Sequence, residues 1–229
     1  HIRVSAISDN IIKVSNWNAG ETLPETATSV LKGQSGTSSV STAPGICVMT
    51  IGGGIVVRVD SLTGSVDISA GPKRSVSDNG LRTLADGQRR LELSTVGGGS
   101  FYGAGERGYS FNLAGDTLVM YNKQNYGYTA GEERIRQMNI TMPLFLSSNG
   151  YAVVFDDFAA ASMIMSNPIV YTSESRSPVS YYFINGAGSL ASVTQELSAL
   201  TGRQKLPPFW ALGYITSKYG YHTQQETLG

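Results

Sequence analysis

The sequence consists largely of short segments in which apolar and polar residues alternate, interrupted by turns rich in glycine, asparagine and aspartate. A period of two places every second side chain on the same face of a strand, as in a half-buried antiparallel sheet. The strongest single turn is Asn149-Gly150, a pair typical of tight hairpins because both residues tolerate a left-handed backbone. Strands are predicted over residues 2–7, 11–14, 46–51, 55–60, 65–69, 90–94, 142–147, 151–157, 160–166, 169–172 and 179–185.

Two stretches between these segments are polar and rich in turn-forming residues, namely 21–44 and 71–87. The first is predicted to be loop or weak strand. The charged fraction is 15%, well below the roughly 25% usual for globular chains, and glycine is abundant at 27 residues. Many short strands joined by glycine-rich turns predict a mainly β fold, specifically an antiparallel β-sandwich.

The period changes from two to 3.6 near residue 189, which predicts one helix after the last strand of the sandwich. Ser189 is a suitable N-cap, and Gly202 is a suitable end. Apolar residues fall on one face of this helix at Leu190, Val193, Leu197 and Leu200. We therefore expect this face to pack against the sheet.

A second structural unit is predicted to begin at the tripeptide LPP, residues 206–208, because proline breaks the preceding element. The apolar run 209–215 that follows indicates a strand buried on both faces, as in a parallel sheet. Thr223 and Glu226 then form a capping-box pattern at the start of a helix. A parallel strand followed by a helix opens a βα repeat, so we predict one domain over 1–205 and the beginning of another over 206–229.

This junction resembles the one between the N-terminal β-sandwich and the catalytic (β/α)8 barrel of glycoside hydrolase family 31. The resemblance rests on LTGR at 200–203, LPP at 206–208, WALGY at 210–214 and SKYGY at 217–221. FYGAGE at 101–106 also resembles a family segment. The resemblance implies a galactose-mutarotase-like sandwich, followed by the first strand of a truncated (β/α)8 barrel that continues beyond the chain.

The segment 116–129 interleaves amide and aromatic side chains, a mixture typical of sugar-binding sites. The resemblance implies that this segment reaches over the mouth of the barrel and binds substrate, with Asn122, Lys123, Gln124 and Tyr126 as the candidate residues. Many α-glucosidases of the family have aspartate where Gln124 stands, which favours an α-xyloside or α-galactoside over a plain α-1,4-glucoside. The alternative is a solvated polar turn between two strands.

Other titratable residues are not predicted to be catalytic. Glu106 is assigned a structural role beside glycines that permit a bulge. Asp156 and Asp157 are adjacent in a strand, so their side chains point to opposite faces and do not converge on one bond. The run 132–136 is interpreted as a solvated face or a salt-bridged turn. The resemblance implies that the catalytic aspartates lie at the ends of later barrel strands, outside this sequence.

Composition excludes several classes of function. The formal net charge is zero, with 17 basic and 17 acidic residues, so no long-range field favours nucleic acid or an anionic membrane. No apolar run is long enough for a membrane helix. Cys47 is the one cysteine, and His1 and His222 have no metal-ligand spacing, so neither a metal site nor a cofactor is expected. The compartment stays open, with an extracytoplasmic location favoured.

We therefore expect the N-terminal portion of a retaining α-glycoside hydrolase acting on terminal α-linked glucose, xylose or related sugars, and inactive by itself. Its expected partners are an oligosaccharide or α-glycoside and the rest of its own barrel. Phe209, Trp210 and Tyr214 would form an adhesive apolar patch without the barrel, which also allows a homo-oligomer. The alternatives are a non-catalytic carbohydrate-binding or interaction module and a purely structural scaffold.

Overall fold

A computed structural model of the chain describes residues 1–23, 36–124, 131–215 and 220–228, without the side chain of residue 134. Strands dominate the described residues, with one helix of twelve residues and one of five. The strands are β1 (Ile2–Ser8), β2 (Ile11–Asn16), β3 (Ser38–Ala43), β4 (Ile46–Ile51), β5 (Ile55–Asp60), β6 (Val66–Ser69), β7 (Ser75–Asp78), β8 (Arg82–Thr83), β9 (Arg89–Thr95), β10 (Phe101–Gly105), β11 (Thr117–Met120), β12 (Thr141–Ser147), β13 (Tyr151–Asp156), β14 (Ala161–Ile164), β15 (Ile169–Ser173) and β16 (Val179–Asn185). The helices are α1 (Leu190–Thr201) and α2 (Gln224–Leu228).

The strands form two antiparallel sheets. The six-stranded sheet has the order β1-β2-β16-β13-β12-β10, and the ten-stranded sheet has the order β11-β14-β15-β9-β7-β6-β5-β4-β3, with β8 beside β9. Consecutive strands pair as hairpins at the predicted turns, including β12 with β13 around Asn149-Gly150. Gly150 has a φ of +79°, as this type of turn requires. The predicted antiparallel sandwich is therefore confirmed.

The core lies between the two sheets. Side chains from both inner faces form one apolar cluster, including Ile12, Val57 and Leu91. Aromatic rings fill its centre, and the rings of Phe155 and Tyr171 stack with centroids 3.9 Å apart. Strand β9 shows why period two predicts this arrangement, because its residues alternate strictly between buried and half-buried.

Helix α1 covers the outer face of the six-stranded sheet and adds a third layer. Ser189 caps it by accepting a hydrogen bond from the Ser192 N–H at 3.3 Å, and Gly202 ends it, both as predicted. Val193 and Leu200 are buried beside Tyr182 of β16. Every residue of β16 is buried because the core covers one face and α1 covers the other.

The two polar stretches, 21–44 and 71–87, also form strands. The sequence pattern did not indicate the strands in the second stretch. Strands β7 and β8 lie within 71–87, where serine, aspartate and arginine conceal the alternation. Strand β3 lies within 21–44 and is exposed at all six residues, which agrees with the prediction of a weak strand. Residues 24–35 of that stretch lie outside the described part of the chain.

The predicted buried strand over 209–215 is wrong for this chain. Phe209–Leu212 form a 3₁₀-helix, and the side chains of Phe209 and Tyr214 are 92% and 93% exposed. A strand of a parallel sheet needs neighbouring strands to satisfy its N–H and C=O groups, and none of the described strands pairs with this run. Local bonds satisfy the backbone instead, from the Ala211 N–H to the Pro208 carbonyl at 2.9 Å.

Helix α2 begins as predicted at Thr223. The Thr223 Oγ1 accepts a hydrogen bond from the Glu226 N–H at 3.1 Å. The Glu226 carboxylate accepts one from the His222 N–H at 3.0 Å, one residue earlier than in a standard capping box. The division into domains 1–205 and 206–229 remains a prediction.

Candidate functional site

The predicted substrate-binding segment begins at the end of β11, one of the two edge strands of the ten-stranded sheet. Leu118 and Met120 of β11 are buried, and the next four residues are exposed. Asn122, Lys123 and Gln124 therefore all reach solvent. Tyr126, the fourth predicted residue, lies outside the described residues. We refer to residues 121–132 as the edge loop.

Two side-chain contacts fix the start of the edge loop to the strands beside it. The Asn122 Oδ1 accepts hydrogen bonds from the Thr141 N–H at 2.6 Å and from the Thr141 hydroxyl at 2.9 Å. The Gln137 amide donates to the Tyr121 carbonyl. Because the Asn122 oxygen is engaged in this way, the NH₂ group is the part of the side chain that can donate to a ligand.

A cleft with a volume of about 740 Å³ lies on one side of the edge loop. Its walls come from the end of β11 and the start of the loop, from β12, from β13 and the chain after it, from β16 and from the last turns of α1. Tyr121 and Phe158 line it with 56% and 73% of their surface exposed, so both rings are accessible for stacking. The lining residues that concern the loop are Tyr121, Asn122, Thr141 and Met142.

A second, more polar cavity with a volume of about 570 Å³ lies on the other side. Lys123 lines it together with Arg107 after β10, Asp116 just before β11, and the ends of the 3₁₀-helix Glu133–Arg136. The predicted site residues are therefore not gathered in one pocket. Asn122 faces the apolar cleft, Lys123 lines the polar cavity, and Gln124 lines neither of these two.

Two carboxylates in the polar cavity offset part of its positive charge. The Arg136 guanidinium lies 3.7 Å from the Asp116 carboxylate and 3.3 Å from the Glu133 carboxylate, and it lies over the Tyr109 ring at 4.7 Å. The Tyr109 hydroxyl donates to the Asp116 Oδ2 at 3.1 Å. Burial, reinforced by the Asp116 carboxylate, raises the pKa of Tyr109. The charge run 132–136 thus includes the predicted salt-bridged turn.

The Arg107 side chain contacts this cluster from the other side, and the sequence pattern did not single it out. Its guanidinium donates to the Arg136 carbonyl at 2.6 Å and to the Val119 carbonyl at 3.0 Å. Burial lowers the pKa of Arg107, while Tyr109 and Asp116 act in the opposite direction. The one signal in the sequence that could have pointed to Arg107 is its position directly after the FYGAGE motif.

The carboxylates that could be mistaken for a catalytic pair have separate partners. Asp156 forms an ion pair with Lys13 at 2.6 Å, whereas Asp157 accepts a hydrogen bond from the Tyr171 hydroxyl at 2.9 Å. Glu106 accepts one from the Asn139 N–H at 3.3 Å, a structural contact. None of these carboxylates is arranged as an acid and nucleophile about one bond.

Within the described ranges, no three histidine, cysteine, aspartate or glutamate side chains are grouped so that they could hold a metal ion. Across those ranges, too, none of the helices has the length and hydropathy needed to span a membrane.

The chain is similar to known glycosidases in sequence. It is 26% identical to an α-xylosidase of Saccharolobus solfataricus over 241 aligned residues, which cover 99% of this chain and 32% of that protein. It is 31% identical to α-xylosidase A of Aspergillus niger over 55% of this chain and 16% of that protein. The chain thus spans a third or less of the length of these relatives.

Solved structures share its fold. A family 31 dextranase of Flavobacterium johnsoniae, complexed with isomaltotriose, superposes with a TM-score of 0.78 at 23% identity, over 93% of this chain and 27% of that one. A family 31 α-xylosidase from a soil metagenome, complexed with xylose, gives 0.79 at 16% identity, over 99% of this chain and 36% of that one. At these identities the likeness establishes the fold alone.

A family-level match covers most of the chain. The glycosyl hydrolase 31 N-terminal galactose mutarotase-like domain matches residues 1–163, which include both sheets up to β14 and the whole edge loop. The chain therefore belongs to glycoside hydrolase family 31, of which it carries the N-terminal galactose mutarotase-like domain.

Proposed function

We propose that this chain is the N-terminal portion of a retaining α-glycoside hydrolase that removes terminal α-linked glucose, xylose or a related sugar. The observation that carries the proposal is the family match over residues 1–163, which spans the edge loop. Curated relatives named α-xylosidase and α-glucosidase favour the same class of substrate. A non-catalytic sugar-binding module is the less supported alternative, because the described polar side chains of the edge loop do not share one pocket.

The chemistry is assigned to a barrel that follows this domain. Retaining hydrolysis needs two carboxyl groups about 5 Å apart, one as nucleophile and the other as acid and base. Asp156 and Asp157 have separate structural partners, and Glu106 holds the backbone. The domain therefore contributes a scaffold and a binding loop. No step of the proposed reaction calls for a cofactor.

The edge loop would bind the sugar through hydrogen bonds rather than through charge alone. The Asn122 NH₂ group and the Gln124 amide can donate to sugar hydroxyls, and the Gln124 oxygen can accept from them. The Lys123 ammonium is an additional donor. Tyr126, proposed as a stacking residue, belongs to the same loop. The hydrogen bonds between Asn122 and Thr141 and between Gln137 and Tyr121 would hold the loop at the sheet edge.

The apolar surface around the 3₁₀-helix Phe209–Leu212 would pack against the barrel. Phe209, Trp210 and Tyr214 are 92%, 76% and 93% exposed in this chain. An exposed patch of this kind normally marks an interface. We expect the chain by itself to self-associate through this patch, and the patch to be covered in the full-length protein.

The full-length gene product, of confirmed intact mass, is to be tested with aryl α-glucoside, α-xyloside and α-galactoside. Hydrolysis of one of them, with no hydrolysis by the 229-residue chain, is the expected result. Lys123→Ala and Gln124→Ala should each raise KM by roughly threefold to tenfold, the effect of one lost hydrogen bond. Lys73→Ala, which removes an exposed lysine from a distant turn, is the matched control. An inactive full-length protein, or equal KM values in all three variants, would contradict the proposal.

A further inference from the structure

Strand β10 ends in an irregularity that directs the next residues away from the sheet. Its pairing with β12 shifts register between Gly103 and Gly105. Gly105 has a φ of +91°, and a Cβ atom there would lie 2.3 Å from the Ile140 carbonyl oxygen. Only glycine permits this close approach without displacing the backbone. The conformation brings residues 106–108 against residues 135–140, the segment that follows the edge loop.

Backbone hydrogen bonds join these two segments along their length. The Glu106 N–H donates to the Ile140 carbonyl at 2.7 Å, and the Gly108 N–H donates to the Ile135 carbonyl at 2.8 Å. The Met138 N–H donates to the Glu106 carbonyl at 3.2 Å. The segment after the edge loop is thereby fixed to the end of β10, and Arg107 is held at the centre of this contact.

The Arg107 side chain then connects the two ends of the loop. One terminal nitrogen donates to the carbonyl of Val119, which precedes the loop, and the other donates to the carbonyl of Arg136, which follows it. The planar guanidinium carries N–H donors on two terminal nitrogens in a fixed arrangement, so each carbonyl is bonded by its own nitrogen, whereas a lysine presents all of its donors from a single nitrogen. The Arg107 side chain thus joins residues 119 and 136, beside the hydrogen bond from Gln137 to Tyr121.

The surroundings keep this cation in place. Arg107 is partly buried. The nearby Asp116 carboxylate contacts both the Tyr109 hydroxyl and the Arg136 guanidinium. A guanidinium in such a site remains protonated at any physiological pH. The carboxylate offsets the repulsion that two adjacent arginines would otherwise produce.

We infer that Arg107 is a positioning residue for substrate binding, because it clamps both ends of the edge loop to the sandwich. The inference rests on the proposed function of that loop and extends it to a residue that faces no sugar. It also gives a role to the glycine-rich motif 101–106, whose bulge places Arg107 where it can reach both carbonyls.

The test compares Arg107→Ala and Arg107→Lys in the full-length gene product, with Arg58→Ala as the control, an exposed arginine on strand β5 of the ten-stranded sheet. Arg107→Ala should raise KM on the aryl glycoside by roughly tenfold and change kcat by less than about threefold, since the loop binds substrate and holds no catalytic carboxylate. Arg107→Lys should give an intermediate rise, because it keeps the charge but a single nitrogen on a shorter side chain cannot occupy the positions of both terminal guanidinium nitrogens. A loss of stability alone would lower the active fraction and leave KM unchanged.

Hydrogen exchange of the same proteins provides a readout that does not depend on activity. Peptides covering 121–132 should exchange faster in Arg107→Ala than in the wild type, while peptides of the core strands stay unchanged. If the wild type is active and Arg107→Ala has an unchanged KM, the inference is overturned. If the wild type hydrolyses none of the sugars, the proposed function fails, and unchanged exchange in 121–132 would then overturn the clamp itself. If Arg107→Ala does not fold, Arg107→Lys decides by the same two measurements.

Discussion

A buried carboxyl group links the two sheets across the core and should make the stability of the domain depend on pH. Asp78, on β7 of one sheet, is 0% exposed. Its Oδ2 accepts hydrogen bonds from the Asn16 amide and the Tyr181 hydroxyl of the other sheet, both at 3.1 Å. Its Oδ1 accepts one from the Gly80 N–H at 2.8 Å. Burial raises the pKa of Asp78 from 3.8 to about 6, although the hydrogen bonds act against the rise.

The direction of the effect follows from this raised pKa. The folded state binds the proton more tightly than the unfolded state, so the contribution of Asp78 is complete below the unfolded value and is lost as the pH rises through about 6. At about 1.4 kcal/mol per pKa unit, the rise in the pKa of Asp78 corresponds to a full contribution of about 3 kcal/mol to the free energy of unfolding. Of this, about 1–2 kcal/mol should be lost between about pH 5 and about pH 7.5.

Urea unfolding of the 229-residue chain across this pH range, for the wild type and for Asp78→Asn, measures the loss. Asp78→Asn removes the titrating group at this position. The difference between the unfolding free energies of the wild type and the variant should therefore change by about 1–2 kcal/mol over the range. Tyr181→Phe removes one hydrogen-bond donor to the Asp78 carboxylate, so the pKa of Asp78 should rise. The loss of stability should then occur at a higher pH than in the wild type. Asp67→Asn, at an exposed position on the adjacent strand β6, is the control. Parallel pH profiles for the wild type and Asp78→Asn would show that Asp78 does not titrate differently in the folded and unfolded states.

Three further changes test other parts of the structure. Gly150→Ala should cost about 3 kcal/mol or more in urea unfolding, because φ is +79° and the new Cβ would lie 2.2 Å from the Gly188 carbonyl carbon; a cost below about 1 kcal/mol would contradict this contact. Lys13→Met should cost about 3–5 kcal/mol, since it removes the ammonium group from the Asp156 carboxylate, whose side chain is 1% exposed; an unchanged urea midpoint would contradict it. Trp210→Ser should reduce self-association of the 229-residue chain in light scattering, and a wild-type chain that is already monomeric would contradict the role of the exposed patch.

The sandwich could be predicted because its strands follow period two and its turns carry specific residues. Asn149-Gly150 specifies a hairpin by its own backbone preferences, without help from the rest of the fold. Ser189 and Gly202 specify the ends of α1 in the same local way. Strand β7 was missed because one of its inward-facing residues is Asp78, whose burial depends on partners more than 60 residues away in either direction.

The apolar run at 209–215 and the candidate site show what a local pattern does not contain. Apolar residues indicate that a segment will be covered, but the choice between strand and 3₁₀-helix depends on which backbone groups lie beside it. The family resemblance pointed to Asn122 and Lys123 as substrate-binding residues of one loop. Neither it nor the local pattern could indicate that they line different cavities, nor that Arg107, which precedes the loop, joins its two ends.

Under the proposed function, this domain belongs to a retaining α-glycosidase whose catalytic carboxylates lie outside it. The hydrolysis of aryl α-xyloside and α-glucoside by the full-length gene product can be followed by NMR, which identifies the anomer that is released first. We expect the α-anomer to appear first and the 229-residue chain by itself to release no sugar. Release of the β-anomer first, or turnover by the 229-residue chain, would contradict the proposed function.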